Sequence, residues 1–359
     1  MQSVPELAAL ANVPQNPRYH GEGDVLKHTL MVVNELSHHP RWPTLSSEDK
    51  QTLFLAALFH DIGKLVTTVQ QNDTISSPKH SVWGALLTRY LLWKGIGEPI
   101  GFHQRERIVH LVRNHMQPLY LLEKQDPRRL LLRMSLVVDI ELLAILAECD
   151  TLGRIASDTQ QGLDTIALFR EYVKDEQCLA GPYPFPSNHT KYFYFSKEDT
   201  SPEVDYYDDR TFEVIMLSGL PASGKDHWIT HHGKGLPVIS LDTIRSEMKI
   251  GATDNQGIVV QTAKERAKRL LASKQPFIWN AVNRLRSIRQ PLIAMCNDYG
   301  ARVRIIYLES DYRTHLERNS RRTSPVPEAV IDKMAKRNEI PEPYEAHEVE
   351  YRVGNPSLS

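Results

Sequence analysis

The chain has 359 residues, of which 41% are apolar and 24% charged, with a formal net charge of −1. That is long enough for two domains with separate cores and ordinary for a soluble protein. No uninterrupted apolar stretch approaches ~20 residues, which excludes an expected membrane span, and Met1 to Val13 offers only a short LAAL run without a basic start, so no secretory leader is expected. The three cysteines, Cys149, Cys178 and Cys296, have neither metal-type nor disulfide-type spacing and fit packing roles in a reducing cytoplasm.

From residue 24 to about 178 the pattern reads as helices. Apolar positions recur at helical spacing in DVLKHTLMVVNEL, KQTLFLAALFHDI, HSVWGALLTRYLLW and IELLAILAECD. Pro40, Pro43, Pro78, Gly97 and Pro118 read as breakers between them, and no strand is expected there. Residues 181–210 are rich in Pro, Tyr and Asp and read as a connector that packs on one domain, with a short extended piece at Lys191 to Phe195.

After Thr211 short apolar runs alternate with helices. FEVIML, LPVIS, PFIWNA and RVRIIYLE read as strands, and residues 225–232, 243–249, 256–273 and 285–300 as the helices between them. Such alternation implies a parallel sheet with helices on both faces and ligands at the strands' carboxyl ends. The expected organisation is an N-terminal all-α domain over 1–180, a connector over 181–210 and a C-terminal α/β domain over 211–359. From Thr211 onward there are 22 Lys+Arg against 17 Asp+Glu, and 21 against 27 before it. The bland reading of that asymmetry, solvated helix faces, is preferred to a polyanion-binding surface.

Two segments carry chemistry. In LFHDIGK, Leu58 to Lys64, His60 and Asp61 end a helix that is otherwise greasy. Burying such a pair unpaired is costly, and a divalent metal supplies the reason, since imidazole and carboxylate suit Mn, Fe, Co, Ni or Zn. Candidate partners are His28, His80, His115 and Asp150. His110 reads as a core residue, and His38, His39, His231 and His232 as solvated surface.

The second segment is GLPASGKD, Gly219 to Asp226, directly after the FEVIML strand. Gly219 opens a tight turn, Gly224 lets the backbone approach phosphate, Lys225 reaches the β/γ phosphates, and the following helix points its amino end at the same anion. Asp226 takes the slot of the usual magnesium-binding hydroxyl; it is expected to serve the metal, with serine tolerated there and alanine not. Asp242, at the next strand's carboxyl end in LDTIR, is placed to act as general base or to cap a helix. Arg245, one turn on, can clamp a phosphate. Asn280 and Asn283 stand at a further strand end, with Arg284, Arg286 and Arg289 behind them, and RNSRR (Arg318, Arg321, Arg322) closes a helix that reads as a lid.

The order His28, His60–Asp61, Asp150 resembles the HD phosphohydrolase superfamily, and CDTLGRIASD resembles the HD domains attached to tRNA nucleotidyltransferases. GLPASGKD, LDTIR, WNAVN and RNSRR resemble the polynucleotide 5′-kinase branch of the P-loop phosphotransferases. Together the chain resembles the bacterial HD-Pnk family of RNA end-healing enzymes. The resemblance implies an all-α HD domain fused to an α/β P-loop kinase. It implies Lys64 on substrate phosphate, Asp242 as general base, Arg245 beside the nucleophile, and Arg318 or Arg322 on the donor phosphates. His80 and His115 would be extra metal ligands or phosphate-contacting residues. It further implies ATP or another NTP with Mg²⁺ at one site and a divalent metal such as Mn²⁺, Co²⁺, Ni²⁺ or Fe²⁺ at the other. RNA ends, with DNA ends as a variant, would be the substrate, and an RNA ligase the functional partner, in the cytoplasm. Asp226 and Asn280 depart from the kinase pattern, which usually has Ser/Thr and an acidic residue at these two places. The alternatives are a nucleotide phosphohydrolase fused to a nucleoside or sugar kinase, and a nucleotide-sensing protein without turnover.

Overall fold

The computed structural model describes residues 4–72, 74–96, 100–251 and 254–354. The chain divides into two compact units, Met1–Pro184 and Phe185–Ser359.

The first unit is helical. Its main helices are α1 (Val25–His38), α2 (Ser47–Phe59), α3 (His80–Trp93), α4 (Phe102–Asn114), α5 (Ile140–Leu152) and α6 (Thr159–Asp175). Asp24, Ser46 and Asp139 cap α1, α2 and α5 by accepting from backbone N–H groups of the first turn. α5 is buried nearly all round, which explains its unbroken apolar run. Ala56, Ala57, Ile108, Val112, Leu143 and Leu146 build the core between α2, α4 and α5. Pro40, Pro43 and Pro78 lie outside the long helices as expected, whereas Pro118 sits in the first turn of a short helix, Gln117–Tyr120, where its missing N–H costs nothing. Gly97 lies outside the described residues. The expectation of no strand is corrected: β1 (Val69–Gln71) and β2 (Thr74–Ser76) form an antiparallel hairpin. Its residues are mostly exposed, so it carries no apolar alternation to read.

The second unit begins within the expected connector. Lys191 to Phe195 is not extended but lies in helix α7 (Asn188–Ser196), capped by Ser187 and burying Tyr192 and Tyr194. Aromatic residues favour strands in isolation, and here the cap and packing override that. The remaining elements are β3 (Phe212–Ser218), α8 (Lys225–His232), β4 (Val238–Ser240), α9 (Leu241–Glu247), α10 (Gly257–Ala272), β5 (Phe277–Asn280), α11 (Arg286–Asp298), β6 (Ala301–Glu309), α12 (Tyr312–Ser320), α13 (Glu328–Ala335) and β7 (Glu348–Val353). The strands pair in the order β4-β5-β3-β6-β7, all parallel. β3 is buried on both faces. Val214 and Met216 meet α10 through its stripe Val259, Ala263, Ala267 and Leu271, while Ile215 and Leu217 pack with Trp228 on the other face. The order reverses beside β3, and the loop after it therefore opens at the crevice where such sheets bind ligands.

Candidate metal centre and phosphate loop

In the first unit, α1 presents His28, the end of α2 presents His60 and Asp61, the start of α3 presents His80, the end of α4 presents His115, and α5 presents Asp150. Gly63 makes this convergence possible: a Cβ there would lie 2.0 Å from the His80 carbonyl oxygen and 2.5 Å from the Gly84 nitrogen. Only glycine lets the turn after His60–Asp61 press against α3.

The six side chains form two groups, His28–His60–Asp150 and Asp61–His80–His115, with ligand atoms in each within 4.8 Å of one another. Asp61 joins them. Its Oδ2 lies 3.4 Å from His60 Nε2 and 3.7 Å from His28 Nε2, and its Oδ1 lies 3.4 Å from His80 Nε2 and 3.9 Å from His115 Nε2. Each imidazole turns Nδ1 to a backbone carbonyl: His28 to Gly153, His60 to Ala57, His80 to Ser77 and His115 to Val112. Those bonds assign the proton to Nδ1 and leave lone pairs on Nε2. Yet His28 and His60 face each other Nε2 to Nε2 at 3.2 Å, as do His80 and His115. Two acceptors at that distance repel unless a cation or a proton sits between them, so the donor set fits a divalent metal in both groups.

The electrostatics agree. Burial alone would lower the His28 pKa, but hydrogen bonds to Asp150 and Glu22 outweigh it and raise it to about 9. Burial opposes ionisation of Asp150 and Asp61, but His28 and His60 around the first, and Lys64 and His60 around the second, hold both well below the usual carboxylate range. His115 is lowered to about 3 by burial and by the His80 and His60 charges, which keeps it in the neutral, ligating form. A metal would displace the extra proton from His28.

Lys64 is committed in this structure, its Nζ lying 2.7 Å from Asp61 Oδ2 and 2.7 Å from Gln15 Oε1. Three residues that sequence reasoning missed complete the surround. Glu22 Oε1 lies 3.3 Å from His28 Nδ1 and 2.8 Å from His20 Nδ1, and its Oε2 accepts from Ile155 N–H. Gln15 spans Lys64 and Glu22. No spacing rule ties residues 15–22 to HDIGK; the bridge Pro14–Asp24 brings them in. Glu22→Gln is expected to lower metal affinity ~10–100-fold, since it loosens the proton that orients His28. Metal content after dialysis against a chelator measures this, and nucleotide binding by the other unit should not change. His39 is not solvated as expected but pairs with Glu148 at 2.9 Å, and His110 is half-buried with its pKa lowered to about 4 by burial. His38, His231 and His232 are exposed.

In the second unit the loop after β3 closes on itself. Gly219 has φ +150, and a Cβ there would lie 2.4 Å from the Leu308 carbonyl oxygen. Gly224 caps α8 with φ +101. Lys225 Nζ donates to the carbonyls of Gly219 and Leu220 at 2.9 and 2.8 Å. Burial lowers its pKa to about 8, against the opposing charges of Asp226 and Asp242 and with help from Arg322. A bound phosphate needs the ammonium form, so nucleotide affinity should be flat below pH 8 and fall towards ~tenfold per unit above it as binding must take up a proton. Titration of a fluorescent nucleotide from pH 7 to 10 tests this, and Lys225→Arg should flatten the profile.

Asp242 lies in the first turn of α9 but does not cap it, since Ser240 accepts from Thr243 N–H, and Arg245 on the same helix bonds the Asp242 Oδ1 through Nη1 while Nε donates to Gln256. Arg318 comes beside the loop: a Cβ on Gly224 would lie 3.7 Å from its Nη1. His315, missed in the sequence and buried in α12, is held near 4 by burial and the charges of Lys225 and Arg318. The arginines behind Asn283 are structural. Arg284 donates to the Arg337 carbonyl, Arg286 lies over the Tyr344 ring, and Arg289 is wholly buried against Glu345. Asn283 is structural too: its Nδ2 donates to Leu217 O, and its carbonyl accepts from Ser218 Oγ. Asn280 instead donates to Asp226 Oδ1 at 2.9 Å.

Comparisons with known proteins agree with this division. Residues 25–141 match the HD domain family, and residues 214–341 match the AAA domain family. Multifunctional CCA proteins from Hahella chejuensis (strain KCTC 2396) and Shewanella frigidimarina (strain NCIMB 400) are each 42% identical over 76 residues, which is 21% of this chain and 15% of theirs. The matched stretch is thus a small part of those curated relatives. The crystal structure of a "putative kinase" from Chloroflexus aurantiacus is similar at 19% identity over 40% of this chain and 86% of that one, with a TM-score of 0.34. Among the described residues no helix is long and apolar enough to cross a membrane. The chain joins a helical HD domain to an α/β domain of the P-loop kinase-like type, with a five-stranded parallel sheet.

Proposed function

We propose that the chain is a bifunctional RNA end-healing enzyme. Its HD unit removes a 2′,3′-cyclic, 2′- or 3′-terminal phosphate, and its α/β unit transfers the γ-phosphate of ATP or another NTP to a 5′-hydroxyl end. The observation that supports the reading is the presence in one chain of a histidine–aspartate cluster and of a glycine-bounded loop with Lys225, Asp242 and Arg245. One head removes a terminal phosphate and the other adds one, which together leave ends that an RNA ligase joins. That ligase is the proposed functional partner, the cytoplasm the compartment, and DNA ends a second substrate class.

In the HD unit His28, His60, Asp61 and Asp150 would hold one metal, and Asp61, His80 and His115 a second. When bound, the metal supplies Lewis acidity and a hydroxide-like nucleophile at neutral pH. The chain's own residues orient that site: Lys64 and Gln15 fix Asp61, and Glu22 fixes the His28 tautomer. In the kinase unit the loop N–H groups and Lys225 hold the donor phosphates. Asp242 takes the proton of the attacking 5′-hydroxyl at its Oδ2, because Oδ1 is already bonded to Arg245. Arg245 holds the phosphate next to the nucleophile, and Arg318 and Arg322 meet the charge that develops on the transferred group. A magnesium ion would supply charge neutralisation for the donor phosphates.

The test incubates the full chain with ATP, a divalent metal series and labelled RNA bearing a 5′-hydroxyl and a 2′,3′-cyclic phosphate. Both a new 5′-phosphate and release of inorganic phosphate from the other end are expected. Phosphorylation of nucleosides alone would favour a small-molecule kinase, and nucleotide binding without turnover a sensor; either outcome overturns the proposal.

A further inference from the structure

The phosphate loop of the second unit ends in a carboxylate, and the strand beside it ends in an amide. In P-loop NTPases generally, a loop hydroxyl and a strand-end carboxylate hold the magnesium ion. Here Asp226 follows Lys225 in the first turn of α8, in the slot of that hydroxyl. Asn280 is the last residue of β5 and pairs in register with Leu217, two residues before Gly219. It is 8% exposed, while Asp226 faces solvent.

The two side chains, 54 residues apart in sequence, are bonded to each other: Asn280 Nδ2 donates to Asp226 Oδ1 at 2.9 Å. The amide orientation follows from chemistry, because its oxygen turned towards a carboxylate would repel it. An amide N–H₂ has no lone pair for a cation, so Asn280 cannot supply the ligand through the atom it presents here. It can fix the carboxylate that does, leaving Asp226 Oδ2 for a cation. The count of negative charges equals that of the common arrangement: one carboxylate, moved from the strand to the loop. Lys225, which feels the Asp226 charge, therefore faces the same balance beside the phosphates.

We propose that Asp226 is the carboxylate that holds the nucleotide's magnesium ion and that Asn280 is its positioning residue, the two having exchanged the usual division of work between loop and strand. This rests on reading the unit as nucleotide-dependent. It also revises the expectation that serine alone would serve at 226. With Asn280 opposite, serine leaves the pair with no charge, and the fault should be repaired only by moving a carboxylate back to 280.

The experiment is a reciprocal exchange in the full chain, read by binding rather than turnover. A fluorescent ATP analogue is titrated into wild type, Asp226→Ser, Asn280→Asp and the double variant, with Mg²⁺ and with EDTA, and free Mn²⁺ is followed by electron paramagnetic resonance in the nucleotide complex. Wild type should bind the nucleotide more tightly with Mg²⁺. Asp226→Ser should lose that metal-dependent gain, ~10-fold or more by analogy with the loss of other metal-supporting groups, while binding in EDTA persists. Asn280→Asp should weaken nucleotide binding in EDTA, because it sets two carboxylates side by side. The double variant should recover the metal-dependent gain. An unchanged metal response in Asp226→Ser overturns the proposal, as does a double variant no better than Asp226→Ser. Asp226→Asn, which keeps the shape, should lose the gain as the serine variant does, and its retention of the gain also counts against the proposal. Failure of wild type to bind nucleotide in either condition would instead overturn the nucleotide-dependent reading, and this proposal with it.

Discussion

On the proposed function, Asp61→Ala should abolish phosphate release from RNA ends, on the order of 10³-fold or more, and leave 5′-phosphorylation unchanged. The reason is that Asp61 serves both groups of ligands at once. Oδ2 faces His28 and His60, and Oδ1 faces His80 and His115, so one truncation removes a ligand from each. The carboxylate is 2% exposed, and its loss also leaves Lys64 with Gln15 as its remaining partner of the pair. Destabilisation of the HD unit could imitate loss of a ligand, and Asp61→Asn separates the two because it keeps the volume and one oxygen. Metal content by mass spectrometry should fall in both variants, whereas the melting of the HD unit should shift mainly in alanine. Loss of 5′-phosphorylation along with phosphate release in Asp61→Asn would sink the view that the two units act as independent heads. The division of the chain into two compact units is the structural ground for expecting independence.

The parts of this structure that were legible in sequence are those whose signal is local. FEVIML followed by GLPASGKD is read as strand, loop and helix because both faces of β3 are buried and the loop chemistry is contiguous. The HD cluster is read because His60 and Asp61 sit at the end of an apolar helix and His28, His80, His115 and Asp150 each lie on or at the end of a helix. What escaped is non-local. Glu22 reaches His28 only through a β-bridge between Pro14 and Asp24. Asp226 and Asn280 both stood out as departures, but nothing in the sequence says that they touch. Arg284, Arg286 and Arg289 looked like a basic cluster behind a nucleotide site because charge carries no sign of burial; their partners Arg337, Tyr344 and Glu345 lie some fifty residues on. β7 was missed for a related reason. EVEYRV has only three apolar residues among charges, and it is a strand because β6 offers it an edge.

Arg289 marks where these two kinds of information meet, and Arg289→Ala should cost the second unit ~3–5 kcal/mol. Its side chain is 0% exposed. Nε and Nη2 donate to the two oxygens of Glu345, each at 2.8 Å, and Nη1 donates to the carbonyls of Asn283 and Glu339 at 2.9 and 2.7 Å. Removing it strips the buried Glu345 carboxylate of both guanidinium donors, leaving Oε1 with the Glu342 N–H, and takes one donor each from the Asn283 and Glu339 carbonyls. The damage should travel to the phosphate loop through backbone contacts: the Asn283 carbonyl also accepts from Ser218 Oγ, Asn283 Nδ2 holds Leu217 O, and Gly219 N–H donates to Val282 O. Hydrogen exchange followed by mass spectrometry should therefore show faster exchange at 217–220 and 282–289 in the variant, with peptides of the HD unit unchanged. Arg289→Lys should not rescue it, since a single ammonium cannot span both carboxylate oxygens and two carbonyls as a planar fork does. Glu345→Gln keeps the shape but removes the charge opposite, and should cost less than Arg289→Ala because the carbonyl bonds survive. If Arg289→Ala melts like wild type and keeps its protection at 217–220, the phosphate loop does not depend on this buried pair, and its geometry is set by Gly219 and β3 alone.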